Sequence, residues 1–272
     1  MTALATHPAS MAAPAAQRTR RFTAWRRFAA PLAILVLWQI LASAGLISAR
    51  TMSSPITIAH SFYTLTVSGE LLHHLLVSLA RVGVGLAIGV SAGVVFALIA
   101  GLSKAGEDTV DSTLQMVRTL PHLALVPLFI LWFGIGEVPK IALIALGAAF
   151  PIYLNLFSGI RGVDTKILEA AKTLGLSRIE LITHVILPGA LPSALVGLRY
   201  SLGVAWLSLV VAEQINASSG IGYLVMTARD FLRTDIIFVG LIIYAVLGLL
   251  ADQLVRALER RVLVWRPSFV KD

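Results

Sequence analysis

Glu169-Ala170-Ala171-Lys172-Thr173-Leu174-Gly175, followed by Val185-Ile186-Leu187-Pro188, interrupts two strongly apolar stretches of this chain. The polar segment around it, 161–189, has a helical pattern of its own. Asp164 is placed to cap a helix whose Ile167, Leu168, Ala171 and Leu174 share one face at i, i+1, i+4 and i+7. Gly175 supplies the left-handed residue that ends it. Ser177 with Glu180 three residues later spells a capping box for a second helix. Pro188 is expected to stop that second helix, because it lacks the N–H needed to continue. A short amphipathic helix held between apolar segments has the shape to dock into a cleft on a soluble partner; a surface helix without a partner is the plainer reading.

Composition sets the class. Apolar residues make up 57% of 272 and charged residues 13%, about half the usual share of a soluble protein. The chain is an all-α, polytopic membrane protein. Its net charge of +8 is scattered between apolar runs rather than gathered on one domain, which points to membrane orientation and away from nucleic acid. With no cysteine, disulfides, thiolate metal sites and cysteine nucleophiles are excluded.

A spanning helix needs roughly twenty largely apolar residues. On that ruler there are about six spans: 29–47, 76–102, 113–133, 139–159, 190–212 and 236–256. Residues 1–28 read as a disordered tail ending in Arg18, Arg20, Arg21, Arg26 and Arg27, and 257–272 as a second tail, leaving 29–256 as the membrane domain. The first apolar run is as long as a span, so it is expected to be retained rather than cleaved as a signal peptide. The third span is interrupted by Arg118, Pro121, His122 and Pro127, as expected of a kinked helix lining the bundle interior. Lys and Arg crowd the tails and the 161–189 loop, while the opposite loops hold only Arg50, Lys140, Arg229 and Arg233. Both termini and that loop are therefore expected on the cytoplasmic side. Gly85, Gly89 and Gly93 form a small-residue ridge, suited to tight packing inside the subunit and, second, to a dimer seam.

The chain has no phosphate-binding loop and no Gly-Lys dipeptide, so it is not an ATPase by that mechanism. It carries no recognisable catalytic or metal motif, and no cofactor is expected. Adjacent His73 and His74 point about 100° apart on a helix, a poor metal clamp, and read as an interfacial polar patch. Ionisable groups inside spans are costly and so are functional candidates. Arg81, near a span end, reads as an interfacial anchor that snorkels. Arg199, deep in the fifth span, either pairs with a carbonyl or acid inside the bundle or faces the translocation route. Arg118 and His122 sit on the interrupted helix and join it as path candidates. The loop 213–235, with Glu213, Gly220, Gly222 and Tyr223, is either an outer gate or binding-protein contact, or a solvated loop with a short helix.

Taken together, the polar segment resembles the cytoplasmic loop of permease subunits of ABC importers. The family pattern is Glu-Ala-Ala, three residues, Gly, nine residues, Ile, one residue, Leu-Pro. Here Glu169, Ala170, Ala171, Gly175, Leu187 and Pro188 match in register, with Val185 in place of Ile. From about residue 30 onward the chain is similar to the nitrate/sulfonate/taurine group, through Pro121-His122-Leu123-Ala124-Leu125-Val126-Pro127, Phe150-Pro151-Ile152-Tyr153 and Ser219-Gly220-Ile221-Gly222-Tyr223-Leu224. Val185 to Ser193 and Ala228 to Leu232 look most like an aliphatic sulfonate permease. The resemblance implies a type I importer permease fold, a homodimer in the bacterial inner membrane, two cytoplasmic ATPase subunits that dock on the loop, and a periplasmic or lipid-tethered binding protein. Taurine or nitrate is the alternative cargo. A stand-alone secondary transporter is the rival of another class. An intramembrane hydrolase is disfavoured because His122 has no serine partner in register.

Overall fold

The computed structural model describes residues 16–265, and every regular element among them is a helix. Helix α1 covers Ala16–Ser43, α2 Pro55–Val67 and α3 Glu70–Leu102. A bent pair follows, α4 (Lys104–Val117) and α5 (His122–Phe133). Then come α6 (Glu137–Arg161), the short α7 (Thr165–Thr173), α8 (Arg178–Gln214), α9 (Ile221–Asp230) and α10 (Thr234–Val262).

Four helices, α3, α6, α8 and α10, are long and apolar enough to cross a bilayer, and the α4–α5 pair makes a fifth if it counts as one broken span. By this measure the described residues give four or five spans against the expected six. Among the residues whose side chains are described, the apolar stretch of α1 is Ala29–Ser43, below the usual length of a crossing. Helix α1 also begins inside the expected disordered tail, so residues 16–28 are helical, while residues 1–15 lie outside the described residues. Helix α10 runs to Val262, past the expected boundary at 256; residues 266–272 lie outside the described residues.

The expected third span is two helices meeting at 78° rather than one kinked rod. Pro121 is extended, with ψ 103°, offers no N–H, and disfavours helical geometry at Leu120. Pro188 behaves contrary to expectation. It does not end the helix begun at Arg178 but sits in a continuous α8. The wide π-turn Ile182–Ile186 directly before it loosens the ladder in which the missing N–H would have bonded. Helix α2 was not legible as a span or a loop. Ser54 caps it by accepting from the Thr57 N–H, Pro55 opens it, and Ser61 donates to Asp235 of α10 at 2.6 Å.

Helix α6 lies between α3 and α8 and forms the centre of the bundle. Val82, Ile144, Ala148, Ala205 and Leu209 are buried together at one level, and Ala97, Ala100, Tyr153, Leu156 and Ala190 at another. The ridge Gly85, Gly89 and Gly93 faces α6, so close that a Cβ at Gly89 or Gly93 would strike the backbone carbonyl of Ala145 or Ala149. The ridge is an intrasubunit seam.

Candidate functional site

The loop between α6 and α8 is capped at every turn. Asp164 accepts from the Lys166 N–H at 2.9 Å and opens α7. Gly175, at φ +84°, closes it: its N–H donates to Lys172 O at 2.9 Å and that of Leu176 to Ala171 O at 3.2 Å, a Schellman ending. Ser177 and Glu180 then exchange both capping-box bonds, at 2.8 and 3.4 Å. The expected single apolar face divides in two. Leu168 and Ala171 turn inward, while Ile167, Leu174 and Ile179 stand 54%, 81% and 74% exposed. Glu169 and Ala170 are exposed, and Leu187 and Pro188 are half-buried in the first turns leading into the bundle.

At the opposite end of α8 the structure assembles a buried polar network. Glu213 is in the last turns of α8, not in a solvated loop, and is 1% exposed. Its carboxylate accepts from Arg81 Nη1 at 2.7 Å, from Ser78 Oγ at 2.7 Å and from the Gly222 N–H at 2.8 Å. Arg81, expected as a snorkelling anchor, is instead 3% exposed, held by Glu213, by both oxygens of Glu137 and by the carbonyl of Ser219. Lys140 also pairs with Glu137, at 3.2 Å. Two cations therefore meet two carboxylates, Glu213 buried and Glu137 half exposed, which allows both cations to be buried.

The network caps α9. The first N–H groups of a helix lack internal partners. Here the Gly220 N–H donates to His74 Nδ1, Ile221 to Ser78 Oγ and Gly222 to Glu213 Oε2. His74 is thus a buried acceptor rather than part of an interfacial patch, and its ring lies 5.8 Å from that of Tyr223. Gly220 takes φ +110°, and a Cβ there would run into the Glu213 carboxylate and the Arg81 guanidinium. The structure thus joins Glu213, Gly220, Gly222 and Tyr223 around partners not singled out beforehand: Ser78, Glu137, Lys140 and Tyr244. One signal was present. His74, Ser78 and Arg81 recur at i, i+4 and i+7 on an apolar helix, continuing the stripe of Gly85, Gly89 and Gly93.

The path candidates are dispersed. Arg199 donates to Glu259 at 2.6 Å and lies 3.5 Å from Asp252, which also pairs with Arg256. Of its two readings, pairing with acids is the one observed, at the edge of a cavity of about 520 Å³ between α8 and α10. Arg118 is exposed at the end of α4. His122 does find a serine: its Nε2 lies 3.1 Å from Ser208 Oγ on α8, correcting the expectation of no serine partner. Ser208 donates to Val204 O, and among the described residues no carboxylate orients the ring, so the pair lacks the third member of a nucleophilic triad. No cluster of three or more metal-ligating side chains occurs among the described residues.

A multi-helix bundle with several apolar crossing helices, carrying a doubly capped helical loop, is the architecture of a multi-pass membrane protein. Residues 89–264 match the family described as binding-protein-dependent transport system inner membrane component, and the chain belongs to that family. It is 51% identical over 239 residues to the Bacillus subtilis (strain 168) protein SsuC, named as an aliphatic sulfonates transport permease, covering 88% of this chain and 87% of that one. The Escherichia coli (strain K12) SsuC is 50% identical over 88% of this chain and 91% of its own length. The taurine transport permease TauC of E. coli (strain K12) is 36% identical, over 85% and 86%. A crystallised amino acid ABC transporter shares the fold at TM-score 0.61 and 22% identity, over 75% of this chain and 96% of that one. The chain is thus a transport subunit of an ABC importer in the inner membrane and not itself an enzyme, and its family works with an ATPase and a substrate-binding protein.

Proposed function

We propose that this chain forms, as a homodimer, the translocation path for aliphatic sulfonates, with two ATPase subunits docked on the 161–189 loops. The carrying observation is that two relatives named for aliphatic sulfonates are 51% and 50% identical across 88% of the chain, against 36% for one named for taurine. The distribution of Lys and Arg supports placing both termini and the loop in the cytoplasm. On that orientation the exposed Ile167, Leu174 and Ile179 meet the ATPase, and α9 with its buried network faces the binding protein.

The length of α8 supports an alternating-access mechanism. It runs unbroken from the capping box to Glu213, 37 residues or about 55 Å. A push on α7 is passed along one helix to the network that holds α9. Arg118 is the open candidate for meeting a sulfonate oxyanion, since Arg199 is already balanced by Glu259 and Asp252.

The substrate test is growth on an alkanesulfonate as sole sulfur source, in cells lacking their own permease and supplied with this chain and its neighbouring subunits. Growth is expected, with slower uptake for Arg118→Ala at equal membrane abundance. Failure to support uptake of any alkanesulfonate sinks the substrate. A second test concerns coupling. Gly175→Val places a side chain at positive φ, costing about 1 kcal/mol or more, where nothing else crowds it. The variant is expected in the membrane at normal levels, with loss of ATPase co-purification or of transport. Normal transport with an intact complex removes the docking role.

A further inference from the structure

A cavity of about 480 Å³ lies beneath α7, where the last turns of α3 and α6 meet the start of α8. Leu168, Leu181 and Ile186 give it an apolar floor. Arg161, Lys172 and Arg178 line it, and among the described residues no carboxylate does. Arg161 is partly engaged, by Glu107 and the carbonyls of Ala100 and Ser103. Lys172 and Arg178 make no ion pair among the described residues, and both are exposed.

The cavity and the proposed docking face lie on different flanks of α7. At 100° per residue, Thr165, Leu168 and Lys172 centre about 140° around the axis from Ile167 and Leu174. A protein docked on the exposed leucine and isoleucine therefore approaches a different flank of α7 from the one that lines the cavity. The wall supplied by Gly101, Leu102 and Ile160 belongs to the ends of two membrane-crossing helices, so the apolar floor continues the surface of the bundle. A basic rim over an apolar floor at the end of membrane helices suits a charged head carrying a hydrocarbon chain.

We infer that this cavity binds an anionic amphiphile, one phosphate or sulfonate group on an apolar chain, with Lys172 and Arg178 holding the head. That chemistry has two sources, an acidic phospholipid of the adjoining leaflet and a free long-chain sulfonate. Assigning the cavity to an amphiphile rather than to the ATPase rests on the docking face proposed above, so the measurement is made on the permease without its ATPase.

The full chain is purified in detergent, and its binding of phosphatidylglycerol, phosphatidylcholine and dodecanesulfonate is measured by native mass spectrometry. Phosphatidylglycerol is expected to bind more tightly than phosphatidylcholine. K172Q/R178Q is expected to weaken it about tenfold or more, leaving phosphatidylcholine unchanged, while K172R/R178K retains it. Dodecanesulfonate is expected to compete and inorganic sulfate is not; the tighter of the two amphiphiles identifies the source. Unchanged phosphatidylglycerol binding in K172Q/R178Q overturns the site, and so does displacement by sulfate as effective as that by dodecanesulfonate. ATPase co-purification is followed in parallel. Its loss in K172Q/R178Q with lipid binding intact assigns the rim to the docking surface and overturns the amphiphile site.

Discussion

Arg81→Met is expected to lower the stability of the folded protein by about 3–5 kcal/mol, the usual result of stripping one partner from a buried ion pair. Glu213 would keep its bonds from Ser78 and Gly222 but lose the cation 2.7 Å away, in a position where it is 1% exposed. Glu213→Met is expected to be as damaging, because it also leaves the Gly222 N–H of the α9 first turn without its acceptor. The double variant removes both charges and should recover part of the stability, since isosteric apolar replacement of a whole buried pair is often tolerated. Transport should stay impaired in the double variant, because α9 remains incompletely capped. Arg229→Ala is the control: its side chain is 64% exposed and, among the described residues, pairs with adjacent Asp230 alone. Thermal unfolding in detergent and membrane abundance read the series. An Arg81→Met protein as abundant and heat-resistant as the parent would show that the network contributes nothing to the fold.

Gly89→Val is expected to abolish assembly of the bundle. A Cβ at that position would sit against the backbone of Ala145 on α6, and backbone cannot turn aside as a side-chain tip can. Overpacking costs typically 1–3 kcal/mol where neighbours can shift; here α3 and α6 must separate along their length. The same substitution at Gly83, six residues earlier on an open face of α3, meets nothing within 4 Å. Gly83→Val should therefore accumulate normally. Equal abundance of the two variants would break the claim that the ridge sets the α3–α6 distance.

Much of the loop was legible because its signals are local. A cap, a left-handed glycine and a capping box each involve residues within a few positions, and Asp164, Gly175, Ser177 and Glu180 all act as their spacing indicated. Pro188 misled because its effect depends on the turn before it, and a π-turn cannot be told from sequence pattern alone. The division of the α7 apolar face, with Leu168 inward and Leu174 outward, depends on where α3, α6 and α8 present their ends to it.

By itself the sequence determined the class, the positions of the four long spans and the capped loop, since hydropathy and capping act over one segment at a time. The placement of Lys and Arg gave an expectation for the side of the membrane each loop occupies. The tertiary structure decided everything that joins distant segments. Arg81 could be an anchor or a network member, and only the approach of Glu137, Ser219 and Glu213 makes it the latter. Arg199 could serve cargo or an internal pair, and the register of α8 against α10 gives it Glu259 and Asp252. The reason is the same in both cases. A charge inside an apolar helix requires a partner, and no local pattern states which remote residue will be brought within 3 Å of it.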